Sequence, residues 1–375
     1  MEPLFTGVSS NAHHLYTLLS CIGFASKATV QITPDGLRFS VEEARVIQGL
    51  AFLDRALFTS YTFTQEPQEN NESSDEVTYP CFVVSLTVLL ETLKIFGIND
   101  LAEPNGTRDT SLPQTNPASS AFSAPALLMD RSCTLQYAQH GAPLSIAITE
   151  AGVKTTCELV TYEPEDDQSD IPLQRDAIIM KIIMRSAWLH NAIAELDSSN
   201  PTILKLSACA TREPYFALSG AGGPFSESTV EFSVDQHAEG GNEQASQMHK
   251  VLTEDGTSRP RATRTKLAPT VTETFLVSPP SAMGERIRES YRFGLIRKSA
   301  RAMSVANKVS IRGDRQGVLS LQFMIELDDN NPTGRPVGAG VKAAVGPVCF
   351  VDFRFVPLLD EEEAEMQLQA AVDRK

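Results

Sequence analysis

The chain has 375 residues, a formal net charge of −15 and a hydrophobic content of 42%. This length predicts two or three domains, each large enough for its own core. No apolar run reaches the roughly 18–20 residues of a membrane-spanning helix, and residues 1–10 lack a secretory-signal pattern, so we expect no membrane segment. The negative charge excludes a protein that coats nucleic acid with its whole surface, but it permits a local basic face.

Two stretches of the sequence repeat one pattern. His14–Phe39 and Trp188–Leu218 both predict an amphipathic helix, a strand, a tight turn and a second strand. Four apolar positions recur at one offset of 174 residues, which indicates a duplicated helix-on-sheet unit and favours a protein of assemblies over an enzyme. The pairs are Leu15 with Leu189, Leu19 with Ile193, Ile22 with Leu196, and Ile32 with Leu206.

The first unit, residues 1–162, predicts helices at Asn11–Phe24 and Leu86–Phe96. Residues 99–125, rich in Pro, Ser, Thr and Asn, predict a flexible insertion. Its strands are predicted at Leu4–Val8, Thr29–Thr33, Leu37–Val41, Val46–Leu53, Ser60–Thr64, Tyr79–Val84, Ser132–Ala138, Leu144–Thr149 and Val153–Tyr162.

Residues 163–175 are rich in carboxylates and predict a connector to a second unit at residues 176–357, which is followed by an acidic tail at residues 358–375. Helices on one face of largely antiparallel sheets predict an α+β fold for both units. The second unit predicts helices at Ala187–Leu196 and Leu295–Ser304, flexible insertions at residues 235–280 and 328–347, and strands at Ala177–Met184, Thr202–Ala208, Tyr215–Ser219, Thr229–Val234, Tyr291–Phe293, Val309–Gly313, Val318–Leu327 and Val348–Pro357.

The sequence carries no catalytic signature: GxSxG, a P-loop, GxGxxG and HExxH are all lacking. A two-metal nuclease would need converging carboxylates, and Asp35, Asp54 and Asp352 have no acidic residue two positions away. The cysteines are scattered without a CxxC pair, as is typical of core residues in a reducing compartment, so we expect no metal and no cofactor. They are Cys21, Cys81, Cys133, Cys157, Cys209 and Cys349.

A basic island stands out on this acidic chain. Between Glu285 and Arg301 there are six basic residues and two acidic ones. Arg297, Lys298 and Arg301 are spaced to share one face of the predicted helix. Such a face either contacts phosphates or is an ordinary solvated surface, and the residues alone leave both interpretations open.

Several stretches resemble a known family. Leu86–Asp100 (LTVLLETLKIFGIND) resembles the second helix of a sliding-clamp domain, and Lys308–Met324 (KVSIRGDRQGVLSLQFM) with Cys349–Phe355 (CFVDFRF) resembles its closing strands. Together with Asp35–Ala51 (DGLRFSVEEARVIQGLA), they are similar to the Rad-one subunit family of the DNA-damage checkpoint clamp, a heterotrimeric relative of the proliferating cell nuclear antigen. The resemblance spans Leu4–Pro357 apart from the insertions.

This resemblance implies the DNA sliding-clamp fold, with two tandem units per subunit and three different subunits in a ring around double-stranded DNA. It implies a nuclear, non-catalytic protein that a clamp loader places on DNA and that serves checkpoint and repair proteins as a platform. Two alternatives stay open: a 3′→5′ exonuclease on the same fold, and a homo-oligomeric processivity clamp for a polymerase.

The family's DNA-contacting positions fall on Lys94 and on Lys298, with Arg297 and Arg301 nearby. Glu91 stands where the replicative clamp usually has lysine, so the resemblance implies an uneven grip on the phosphates. Subunit contacts would be made by open sheet edges. By position these are Val153, Thr155, Cys157 and Leu159 in the first unit and Thr229, Val230 and Phe232 in the second, the alternative being that both strands are interior.

The resemblance also implies a groove for client proteins under the connector. Because the connector is acidic, we expect clients that carry basic residues beside an apolar anchor. The groove residues would be Val41, Arg45, Val46, Ile171, Leu173 and Phe355.

Overall fold

The protein is described from a computed structural model that covers residues 2–64, 79–95, 132–150, 152–164, 170–223, 227–233, 272–280, 284–327 and 347–358. The insertion predicted at residues 99–125 lies outside these residues, as do most of the two later insertions and all of the acidic tail but its first residue. Within the covered ranges, no helix combines the length and apolar character needed to cross a membrane.

The first unit follows the predicted order of elements. The two helices that the structure describes in this unit begin at side-chain caps, because Asn11 accepts a hydrogen bond from the backbone N–H of His13 and Ser85 accepts one from that of Val88. The elements are β1 (Phe5–Ser9), α1 (Ala12–Cys21), β2 (Lys27–Thr33), β3 (Gly36–Glu43), β4 (Ile47–Asp54), a 3-10 turn (Arg55–Leu57), β5 (Ser60–Phe63), β6 (Cys81–Ser85), α2 (Leu86–Lys94), β7 (Ser132–Tyr137), β8 (Leu144–Glu150), β9 (Val153–Leu159) and β10 (Thr161–Tyr162).

The second unit opens with a 3-10 turn at Arg175–Ala177 and repeats the order of the first. Its elements are β11 (Ile178–Arg185), α3 (Ser186–Asp197), β12 (Ile203–Cys209), β13 (Phe216–Ala221), β14 (Ser228–Phe232), β15 (Thr272–Val277), β16 (Arg286–Arg292), α4 (Phe293–Arg297), α5 (Ala300–Val305), β17 (Lys308–Asp314), β18 (Leu319–Glu326) and β19 (Val348–Phe355).

The strands within the described ranges form three antiparallel sheets. Their orders are β5-β1-β7-β8-β9, then β10-β6-β2-β3-β4-β19-β18-β17-β11-β15, and finally β14-β13-β12-β16. The ten-stranded sheet therefore runs through both units, and the pairing of β4 with β19 joins them, with Ala51 opposite Val351 and Ile47 opposite Phe355.

The duplication is visible in the strand order. The set β5-β1-β7-β8-β9 of the first unit corresponds to β15-β11-β17-β18-β19 of the second, and β6-β2-β3-β4 corresponds to β16-β12-β13-β14. The first helices begin at Ala12 and Ser186, which preserves the predicted offset of 174 residues. All eight repeat positions are buried, with exposed fractions of 0 to 3%. The repeat therefore marks the apolar side of one helix-on-sheet unit built twice.

The predicted helix Leu295–Ser304 was wrong, because the chain forms two short helices there with Lys298 and Ser299 between them. The buried hydroxyl of Ser299 donates to the carbonyl oxygen of Ile296 at 2.7 Å, a local bond that competes with continuous helix. Arg297, Lys298 and Arg301 consequently do not share one helix face.

Two strand predictions also need correction. The predicted strand Val153–Tyr162 is two strands in different sheets, because β9 pairs with β8 and β10 pairs with β6. The predicted insertion at residues 235–280 ends in β15, which pairs with β11. The side chains of β15 alternate poorly between buried and exposed, so its sequence lacks the period of two that marks a half-buried strand.

The six cysteines are free thiols, and four of them are buried, as the sequence predicts. Burial raises the pKa of Cys21 and of Cys133 to about 12. These two side chains are packing residues of the first unit.

Candidate nucleic-acid interface and open sheet edges

The helices lie side by side in one layer on the sheets. Helix α1 packs against α2 on one side and against α5 on the other, and α3 packs against α5, which gives the order α2-α1-α5-α3. Every residue of α1 is buried or half-buried. The exposed side chains of this helix layer therefore lie on the outer helices α2 and α3 and on the broken pair α4 and α5.

Lys94, at the end of α2, is the predicted DNA-contacting residue of the first unit. Its Nζ donates to Oε1 of Glu91 at 3.3 Å and lies 5.5 Å from the centre of the Tyr16 ring. The hydrogen bond to Glu91 raises the pKa of Lys94, with a further contribution from Tyr16. Lys94 is thus cationic at neutral pH, but its charge is shared with an adjacent carboxylate.

Arg297 and Arg301 supply the exposed positive charge of the second unit. Arg297 donates to Asp197 of α3 at 3.1 Å, and the Arg297 side chain remains largely in solvent while Asp197 is half-buried. Arg301 is exposed and has no ion-pair partner among the residues that the structure describes. Burial, and then the charge of Arg301, lower the pKa of His13 on α1, so this histidine is a neutral part of the layer at neutral pH.

Lys298 points elsewhere. Its Nζ pairs with Glu43 at the end of β3, in the first unit, and lies 5.7 Å from the centre of the Phe24 ring. The predicted grouping of Lys298 with Arg297 and Arg301 was wrong, because the break after α4 turns this side chain towards the seam between the units.

The two strands predicted to meet neighbouring subunits lie at sheet edges. Among the described residues, β9 pairs only with β8, and β14 pairs only with β13. Of the predicted contact residues, Val153 and Thr229 are exposed, Thr155, Cys157 and Val230 are half-buried, and Leu159 and Phe232 are buried in the chain's own core. The main chain of both strands is therefore open on one side in the described part of the chain, while two of the seven predicted contact side chains pack inside the chain's own core.

The connector crosses the seam between the units. Asp170 accepts hydrogen bonds from Arg38 at 2.7 Å and from Gln48 at 2.8 Å. The next residue, Ile171, donates its N–H to Gln48 and accepts from Arg354 of β19 at 2.7 Å. Three strands of the ten-stranded sheet thus hold this end of the connector in place.

The predicted client groove is partly closed. Val41, Ile171 and Phe355 are buried, with exposed fractions of 1, 6 and 1%, so their assignment to an open groove was wrong. Arg45 is exposed, and Val46 and Leu173 are half-buried. Arg45 lines a cleft of about 620 Å³ on the sheet face beneath the start of the connector, together with Lys27, Thr29, Arg38, Glu42, Tyr162 and Asp170.

Within the described ranges, no group of three or more His, Cys, Asp or Glu side chains is arranged to hold a metal ion.

The family model described as Repair protein Rad1/Rec1/Rad17 matches residues 4–325. The chain belongs to this family. The DNA damage checkpoint control protein rad1 of Schizosaccharomyces pombe is 31% identical over 92% of this chain and 83% of its own length. The cell cycle checkpoint protein RAD1 of Homo sapiens is 28% identical over 95% of this chain and 92% of its own length.

A third member of the Rad1/Rec1/Rad17 family, the DNA repair exonuclease REC1 of Mycosarcoma maydis, is 28% identical over 51% of this chain and 39% of its own length. Among solved structures, PCNA from Thermococcus kodakaraensis matches with a TM-score of 0.53 and 14% identity, over 94% of this chain and 100% of the PCNA chain. The predicted family and the predicted α+β sliding-clamp fold are both confirmed.

Proposed function

We propose that this chain is one subunit of a heterotrimeric clamp that encircles DNA at sites of damage and acts as a platform for checkpoint signalling and repair. The observation that carries the proposal is the internal joint between β4 and β19. In the duplicated order, β14 corresponds to β4 and β9 corresponds to β19. Among the described residues, β9 and β14 each have one unpaired edge, and their counterparts β19 and β4 pair with each other to join the two halves of the chain.

Closing a ring from such units needs only the same joint between chains. An antiparallel pairing of β9 with the β14-type edge of one neighbour, and of β14 with the β9-type edge of the other, repeats the internal arrangement. Three two-unit chains then give six units, and main-chain hydrogen bonds supply the contact regardless of side-chain identity. Different neighbours are selected by the side chains that flank these edges.

The helix layer supports DNA contact. A sliding clamp must hold phosphates without reading bases, and exposed cations on a helical surface do this in a salt-dependent way. We assign the contact to Arg301, Arg297 and Lys94. Two of these three cations have a carboxylate partner within the chain, so the grip of this subunit is weak and suits a ring that slides.

The biological setting is proposed from the relatives. The two proteins that align over most of their length are named for DNA damage checkpoint control and for the cell cycle checkpoint. We therefore place this chain in the nucleus, with two other clamp subunits, double-stranded DNA, a clamp loader, and repair and checkpoint proteins as partners.

A second candidate function is 3′→5′ exonuclease activity, which the name of the Mycosarcoma maydis relative favours. We propose a non-catalytic role instead, because the described residues do not bring carboxylates together at a strand end as metal-dependent hydrolysis requires. Incubation of the purified chain with a 3′-recessed duplex in magnesium or manganese decides between them: intact substrate supports the clamp, and metal-dependent shortening supports the nuclease.

The clamp function is tested by topological retention. The chain, two partner subunits from the same source, a clamp loader and ATP are incubated with gapped circular DNA, followed by a high-salt wash. An encircling ring stays on the circle and is released when the circle is cut once. Loss in the high-salt wash, or retention after cutting, would contradict encirclement.

A further inference from the structure

Four cations gather on the outer face of the ten-stranded sheet, away from the helix layer. We call them the seam cations: Arg175, Lys181, Arg312 and Arg354. Arg354 lies opposite Ser320, Ser320 opposite Arg312, and Arg312 opposite Lys181, so three of the cations occupy one row across β19, β18, β17 and β11. At a strand spacing of about 4.8 Å this row is roughly 14 Å long.

The row faces outward because side chains alternate along each strand. Met180 and Ile182, which flank Lys181, are buried on the side where α3 packs, and so is Ile311 beside Arg312. The backbone N–H of Gln174 donates to Asp314, two residues beyond Arg312 on β17, which brings the adjacent Arg175 to this end of the sheet. The seam cations therefore share one outer surface with the connector.

These charges are poorly neutralised by the chain. A carboxylate oxygen of Asp352 lies 3.2 Å from Nε of Arg354. The other oxygen is 3.9 Å from the guanidinium of Arg312, which is a loose contact. The Nε–H of Arg312 is buried and has no hydrogen-bond partner in the described part of the chain. Burial, and next the charges of Arg175 and Arg354, lower the pKa of Arg312 despite the opposing effect of Asp352.

The other nearby carboxylates are already occupied. Asp314 is fully buried and accepts the backbone N–H groups of Gln174, Gln316 and Val318 at 2.9–3.0 Å. Asp170 is held by Arg38 and Gln48 and lies 3.9 Å from Arg354, a loose contact. The carboxylates that approach the seam cations are thus Asp352 and Asp170, which lie near Arg354 and Arg312. Lys181 and Arg175 have no ion-pair partner among the described residues, on a chain whose net charge is −15.

A single phosphate group fits this cluster better than a nucleic acid does. A duplex needs a continuous cationic track for successive phosphates, whereas this row ends after Lys181 at Leu276 of β15, which is 59% exposed. Ile183, on the same face as Lys181, is half-buried. A short cationic row that ends beside an exposed and a half-buried apolar side chain matches a phosphorylated residue within a protein segment.

We propose that the seam cations bind a phosphoserine or phosphothreonine of a client protein that docks on the connector face. The proposal rests on the proposed function only in taking a client of the clamp as the source of the phosphate. Arg312 and Lys181 contact the phosphate oxygens, and Arg175 closes the site from the connector. Phosphorylation of the client would then control its docking on this subunit.

The test uses the full chain alone, so its outcome is independent of ring assembly. Two degenerate peptide libraries, one with phosphoserine and one with serine at the fixed central position, are passed over the immobilised chain. We expect roughly tenfold greater retention of the phosphoserine library, in line with two charge-assisted hydrogen bonds. Arg312→Gln and Lys181→Gln should each bring the two libraries close to equality, with unchanged circular dichroism.

Lys181→Gln keeps the test informative if Arg312→Gln unfolds, since Lys181 is exposed. Arg212→Gln is the matched control, because Arg212 is an exposed cation in the turn between β12 and β13, where it pairs with Glu285 at 3.3 Å. This variant should keep the preference for the phosphoserine library. Equal retention of both libraries, or a preference that survives Lys181→Gln, would overturn the proposal. It would also fall if a DNA duplex bound this row more tightly than the peptides, or if inorganic phosphate alone bound as tightly as they do.

Discussion

Lys298 of the second unit and Glu43 of the first form an ion pair that bridges the two halves of the chain. Glu43 ends β3 and precedes Ala44 and Arg45, which both have positive φ angles, of 51° and 55°. The cation therefore holds the tight turn between β3 and β4, next to the strand that makes the inter-unit joint. The basic residues around α4 consequently have two roles, one within the fold and one at its surface.

Replacing Lys298 should affect stability more than DNA binding. For Lys298→Gln we expect a loss of about 0.5–1 kcal/mol in the free energy of unfolding, as is usual for a partly exposed pair. Urea denaturation measures it. Lys205→Gln, which removes a more exposed pair with Glu227 inside the second unit, should cost less. An unchanged urea midpoint together with a clear loss of DNA affinity would return Lys298 to the DNA-contacting surface.

Replacing Arg301 should have the opposite effect. Arg301→Gln removes an exposed cation without an ion-pair partner in the described residues, so stability should stay within about 0.5 kcal/mol. If Arg301 contacts one phosphate, the slope of log affinity against log salt for the assembled ring should fall by about one. Fluorescence anisotropy at several salt concentrations measures this slope. An unaltered slope would remove Arg301 from the DNA-contacting set.

Proline in β9 should block assembly without unfolding the chain. Successive backbone N–H groups of a strand point to opposite sides, one towards β8 and the next towards the open edge of β9. Of the two variants Thr155→Pro and Thr156→Pro, one therefore removes an N–H that faces the open edge (the outward variant), and the other removes an N–H that faces β8. The outward variant should keep its circular dichroism and fail to join its neighbour in co-purification. Proline at Thr274 or Phe275, on the β15 edge, is the control and should allow assembly. Normal assembly of both β9 variants would exclude this edge from the interface.

The Asp170 contact should make the seam sensitive to acid. Burial alone would raise the pKa of Asp170, but the hydrogen bond and charge of Arg38 outweigh it, with help from Gln48, and lower the pKa below 3.8. A lowered pKa adds stability that is complete above the unfolded-state pKa and is lost as the pH falls through the folded-state value.

Asp170→Asn should therefore be less stable than the natural chain near neutral pH, by at most about 1 kcal/mol because the side chain is 41% exposed. The difference should stay constant down to about pH 5 and shrink below about pH 3.8. Urea titrations at several pH values measure it, with Asp176→Asn, an exposed carboxylate in the 3-10 turn that follows the connector, as the control. A difference that grows in acid would contradict the assignment.

The duplicated core was predictable because helix and strand periodicities are local properties of the sequence. The offset of 174 residues, set by pairs such as Leu15 with Leu189, matches the starts of α1 and α3. The family resemblance also depended on continuous stretches such as Cys349–Phe355, which forms most of β19.

Features that depend on distant partners were not predictable in this way. Lys298 is adjacent to Arg297 in sequence, but its orientation is set by Glu43, 255 residues away. Strand β15 exists because β11 offers it an edge, and its own pattern is weak. The burial of Ile171 depends on contacts that Gln48 and Arg354 make across the seam. Tertiary context decided each of these cases.

Sedimentation velocity of the purified chain, alone and mixed with the two other clamp subunits from the same source, tests the heterotrimeric ring most directly. We expect a monomer of 40.8 kDa for the chain alone and a single species with one copy of each subunit in the mixture. A stable homotrimer of the chain alone, or a mixture that sediments as separate subunits, would rule out the heterotrimeric ring.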